Sequence, residues 1–65
     1  MYTVSSVKTS DTQYPTLRDA ARAALRIDAE YQSAYGVQVE GPSGRSLSTD
    51  DPSDLLRLHL AAARE

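Results

Sequence analysis

Few residues in this chain are equipped for chemistry, and their spacing narrows what they can do. His59 is the only histidine, and cysteine is absent. A histidine works as a general base or a metal ligand only with further groups in reach. The nearest candidates are Asp50, Asp51 and Asp54, so His59 reads as a semi-buried structural or interface residue on the apolar side of the last helix. The three aspartates suggest a divalent cation at first sight. They lack the alternating ligands and central glycine of a calcium loop, and all three suit the positive end of a helix dipole. Gly41 and Gly44 bracket a Pro-Ser pair. A phosphate-cradling loop would continue into Lys-Ser or Lys-Thr and a helix, whereas the strand-like Arg45-Ser46-Leu47-Ser48 follows here. No serine lies in a nucleophile elbow. These patterns predict no enzyme, no metal site and no cofactor.

Charge points towards partners instead. Arg18, Arg22 and Arg26 recur every four residues, a basic ridge on one helix face. Such a ridge can meet phosphate, an acidic protein or solvent alone, and Asp19 and Glu30 stand at the right spacing to balance Arg22 and Arg26. Seven basic and nine acidic residues give a net charge of −2. That lacks the basic balance of a nucleic-acid binder, so nucleic acid is not the expected partner. Asp28 breaks the pattern of its helix: the wheel sets it between Leu17, Tyr35 and Ala21, where an unpaired carboxylate is costly. Either the helix tips and Asp28 bonds a Tyr, Ser or backbone group, or the segment with Asp28, Glu30, Tyr31, Gln32 and Tyr35 faces a partner. Tyrosine beside carboxylate suits recognition, because tyrosine is enriched at interfaces and tolerates a wet edge.

The last helix carries a second anomaly. Leu55, Leu56, Leu58 and Leu60 are four of the seven leucines. At roughly 100° per residue, these with Ala62, Ala63 and His59 spread over an arc of about 200°, twice the roughly 100° stripe of a one-sided helix. Either the rest of the chain wraps that helix or a second molecule covers it. Leu56, His59 and Leu60 form the expected dimer or partner face.

The elements that position these residues follow from period and punctuation. Met1 to Lys8 reads as a strand, with Tyr2 and Val4 on one face and Val7 on the other. Thr9 to Tyr14 reads as a polar connection, and Pro15 biases Tyr14 towards extended geometry. Thr16 can cap a helix from Leu17 to Tyr35 that Gly36 ends in a left-handed conformation. Val37 to Glu40 alternates as a strand, Gly41 to Gly44 forms a turn, and Arg45 to Ser48 returns as the second arm of a hairpin. Asp51-Pro52 opens the final helix, which extends to Arg64. The expectation is a single α+β domain over residues 1–65. Its three-stranded sheet and two helices follow the order β-α-β-β-α, with the first two strands parallel through a right-handed crossover.

The core available to this fold is thin. Of 26 apolar residues nine are alanine, and Phe and Trp are absent, so burial and chain entropy come out near balance unless an interface adds more. An enclosed pocket of about 300 Å³ is not expected in so small a domain. No stretch approaches the roughly 20 apolar residues of a membrane span and no signal peptide is visible, which predicts a cytoplasmic protein.

In size, mild acidity, absence of cysteine and minimal α+β order, the chain resembles the small phage- and mobile-element-encoded inhibitors of the anti-CRISPR class. The resemblance rests on these traits and on no shared motif. It implies a protein partner, a CRISPR effector subunit in the host cytoplasm. Glu30, Glu40, Asp50, Asp51 and Asp54 would then compete for surfaces meant for nucleic acid. Two other functions are compatible with the residues: a nucleic-acid accessory protein using the arginine ridge, and a structural dimerisation element.

Overall fold

The computed structural model describes residues 1–7, 9–31 and 36–64, with the side chain of Thr9 excepted. Two helices pack on one face of a four-stranded antiparallel sheet. The strands are β1 (Tyr2–Ser6), β2 (Thr9–Tyr14), β3 (Val37–Glu40) and β4 (Ser46–Ser48), and the helices are α1 (Leu17–Glu30) and α2 (Pro52–Ala62). Chain order is β-β-α-β-β-α, and order across the sheet is β2-β1-β3-β4.

This corrects the three-stranded sheet and the β-α-β-β-α order. Thr9–Tyr14, read as a connection, is the edge strand β2. An edge strand buries little, and a sequence as polar as TSDTQY gives hydrophobic periodicity nothing to report. Residues 7 and 8 join β1 to β2 without the Asn-Gly or Gly-rich pair that announces a tight hairpin. The extra strand reverses the chain before α1. β3 therefore meets β1 antiparallel, Val4 opposite Val39, rather than parallel. The register with β2 shifts between Val4 and Ser6, the extra residue falling in β2, and Val7, past the end of β1, is exposed.

The alternation of the strands separates two faces. Val4, Val37 and Val39 point towards the helices and are buried, with Tyr2, Tyr14 and Leu47 packed beside them. Gln38 and Glu40 point outwards and are exposed. Ala20, Ala21 and Ala24 are the buried residues of α1, and their small side chains let the helix approach the sheet closely. Leu58 and Ala61 are the buried residues of α2.

α1 starts as expected, with Thr16 Oγ1 accepting from the Asp19 N–H at 3.2 Å. It ends five residues early: Tyr31 is the C-cap, its N–H donating to Ile27 O at 3.1 Å. Tyr35 and Gln32 lie outside the described residues. α2 opens on Asp51, whose Oδ1 accepts from the Ser53 N–H at 2.9 Å, and closes at Ala62 with Ala63 as cap.

The β3–β4 hairpin turns through Gly41 to Gly44, with Gly44 N–H donating to Gly41 O at 3.1 Å and Gly41 N–H to Arg45 O at 2.8 Å. Gly44 has φ 84, a left-handed value that glycine adopts without strain. At Gly36 a Cβ would collide with the Asp50 carboxylate. Asp50 is exposed and its carboxylate can turn aside, so Gly36→Ala should cost less than about 1 kcal/mol in urea denaturation. A loss several times larger, recovered by adding Asp50→Ala, would show that the carboxylate is held in place.

Candidate functional site

An open groove of about 640 Å³ lies between α2 and the β3–β4 hairpin. It is open to solvent rather than an enclosed cavity. One wall is a face of α2 and the chain just past it: Asp54, Arg57, Leu60 and Ala61 line it from the helix and Arg64 from beyond Ala62. Those on the helix recur at steps of three and four residues, the spacing that stacks side chains on one helix face. The other wall is the hairpin, with Arg45 and Ser46 at the rim and Val39 and Leu47 deeper, while Tyr2 and Leu17 close one end.

The electrostatics of this groove oppose those of the chain. Three arginines and one aspartate line it, in a protein of net charge −2. Among the described residues, the guanidinium groups of Arg45, Arg57 and Arg64 have no hydrogen-bond or ion-pair partner. Asp54 is partly committed elsewhere, its Oδ2 accepting from the Ser48 N–H at 3.3 Å. A smaller pocket continues from the same end, lined by Thr16, Leu17, Arg18, Ala61 and Arg64. Charge and apolar surface thus alternate along one track.

The edge of β4 adds main-chain groups. Thr49 N–H donates to Val37 O and Gly41 N–H to Arg45 O, with Leu47 opposite Val39 between them. In that antiparallel register Ser46 and Ser48 turn their main-chain groups away from β3. Ser48 is satisfied by α2, through Asp54 and through the Asp51 N–H on its carbonyl. Ser46 is exposed at the groove. Thr49, the one buried polar residue described, fixes the base of the hairpin by accepting from the Val37 N–H at 3.1 Å.

Leu56 and Leu60, one turn apart on α2, are 60% and 59% exposed, so the chain does not wrap the wide last helix. His59 is exposed beside them rather than semi-buried on the core side. Leu60 belongs both to this ridge and to the groove.

The expected partner residues do not converge. Glu30 is exposed at the end of α1, and Glu40 lies on the outer sheet face. Asp51 caps α2, Asp54 turns towards Ser48, and Asp50 stands against Gly36. Asp28 and Tyr31 are half-buried, and neither is without a partner in the chain. Among the described residues no three His, Asp or Glu side chains gather as metal ligands.

The arginine ridge is divided. Arg18 Nε lies 3.6 Å from Asp19 Oδ1, where the sequence suggested Asp19 for Arg22. Arg22 Nε donates to Ala62 O at 2.8 Å, holding the end of α2 against α1, and Arg26 is exposed. Arg57 and Arg64, which sequence reasoning passed over, are seven residues apart, but Arg64 lies beyond the end of α2, so only the structure brings both to the groove.

No family model, no curated protein and no solved structure matches this chain.

Arg22→Met keeps the aliphatic stem and removes the donor to Ala62. Because the bond is exposed, global stability should fall by only about 0.5–1 kcal/mol, while amide exchange in the last turn of α2 quickens. Unchanged exchange there would show that Arg22 does not anchor the helix end.

Proposed function

We propose that this chain is a small non-enzymatic protein-binding module that inhibits or modulates a larger complex, acting in the cytoplasm. The observation that carries the reading is the leucine ridge: Leu56 and Leu60 stay about three-fifths exposed on adjacent turns of α2. A single exposed leucine is ordinary. Two on one face, continuous with a groove that Leu60 also lines, make a contiguous apolar patch of the kind that marks an interaction surface. No helix among the described residues is long and apolar enough to cross a membrane.

The sharpest form of this reading takes a CRISPR effector subunit as the partner. It is supported by the likeness to anti-CRISPR proteins in size, mild acidity, lack of cysteine and small α+β build. A second copy of the chain is the alternative partner, favoured by the ridge itself, since one apolar strip can pair with its twin about a two-fold axis. A nucleic-acid role through Arg18, Arg22 and Arg26 is less favoured, because Arg22 is occupied at Ala62.

The test is the double change Leu56→Glu with Leu60→Glu. The folded state should persist, because both side chains are exposed, while capture of purified CRISPR effector complexes and any self-association by sedimentation are lost. A double mutant that unfolds, or that still engages the partner of the parent chain, would contradict the reading.

A further inference from the structure

We infer that the groove beside α2 binds an acidic segment of a protein in extended conformation, carboxylates on the arginines and an apolar side chain against Leu60. The inference deepens the protein-binding reading above and rests on it for the class of partner. Three features of the groove agree. Arg45, Arg57 and Arg64 face it with no partner among the described residues, and arginine pairs carboxylate through two parallel hydrogen bonds. Arg57 stands on α2 and Arg64 two residues beyond its end, and Leu60 and Ala61 line the groove between them in sequence. An occupant that satisfies this wall therefore alternates acid and apolar groups. Ser46, with main-chain groups turned away from β3, offers a short edge on which an extended chain can form backbone hydrogen bonds.

The same features favour peptide over nucleic acid. Apolar residues make up much of the lining, and Asp54 stands among them, whereas a phosphate track calls for a continuous basic stripe. Among the described residues Tyr2 is the sole aromatic one lining the groove, too few for base stacking along a strand.

The experiment titrates the intact chain with three fluorescent probes: a short peptide alternating Glu and Leu, its Lys-Leu counterpart and a short DNA duplex. Nitrogen–proton spectra locate the contacts. The Glu-Leu peptide should bind saturably, shift the amides of Ser46 and Leu60, and outcompete both other probes. Arg57→Gln with Arg64→Gln should weaken it about tenfold or more, equivalent to about 1.4 kcal/mol or more. Arg45→Gln supplies an independent variant on the other wall should the pair disturb α2. Gln38→Ala, on the outer face of the sheet and away from the groove, should leave peptide affinity unchanged. Preference for the duplex, equal binding of the Lys-Leu peptide, or peptide shifts centred away from the groove would overturn the inference. If the peptide does not bind while the Leu56 and Leu60 changes still abolish partner capture, the groove assignment fails and the protein-binding reading stands. If the peptide binds as described while those changes leave partner capture intact, the leucine ridge fails instead.

Discussion

The burial of Leu58 is the constraint on which the rest of this structure depends. It is fully buried, and the other largest fully buried side chains are three valines, Val4, Val37 and Val39. A leucine taken completely out of water contributes roughly 1.5–3 kcal/mol, a large share of the margin available to so small a domain. The alanines of α1 set the terms. Ala20, Ala21 and Ala24 bring that helix close to the sheet, and Leu58 and Ala61 of α2 complete the same cluster. The remaining leucines of α2 point elsewhere: Leu55 reaches the margin, and Leu56 and Leu60, each about 200° round the helix from Leu58, face solvent. The exposed ridge is thus a direct result of turning Leu58 inwards.

That account explains which parts of the fold were legible in the sequence. The caps Thr16 and Asp51, the turn at Gly44 and the clean alternation of Val37 to Glu40 are local features, set by side-chain reach and backbone sterics within a few residues. They appear where the sequence places them. β2 is non-local. Its residues earn their place through pairing with β1, Tyr14 opposite Tyr2 and Thr12 opposite Val4, and no periodicity within TSDTQY records that pairing. The same limit applies to Gly36, which stands against Asp50, distant in sequence. The width of the apolar arc on α2 was visible, but which of its leucines turns inwards is set by how the helix docks on α1 and the sheet.

The candidate site shows the same division. The leucine ridge follows from helical spacing alone. The groove required the hairpin to be placed beside α2, because only that docking sets Arg45 opposite Arg57 and Arg64. Arg22 illustrates the converse: a residue that looked like part of a charged face is bound to the Ala62 carbonyl and orients the wall of the groove. Charge in this molecule is sorted by tertiary structure. A chain slightly acidic overall presents a locally basic track with apolar ground between its arginines, while Asp51 caps α2 and Asp54 bonds the hairpin.

The most direct measurement of the central claim is native-state hydrogen exchange along the whole chain. If Leu58 couples α2 to α1 and the sheet, the amides around it should open only with global unfolding, at the same free energy as those of Val4 and Val39. The amides of β2 and the hairpin tip should open at lower free energy. An α2 that exchanges well before the central strands would contradict the account, because a helix held independently of the core would not have its outer leucines fixed in place by that core.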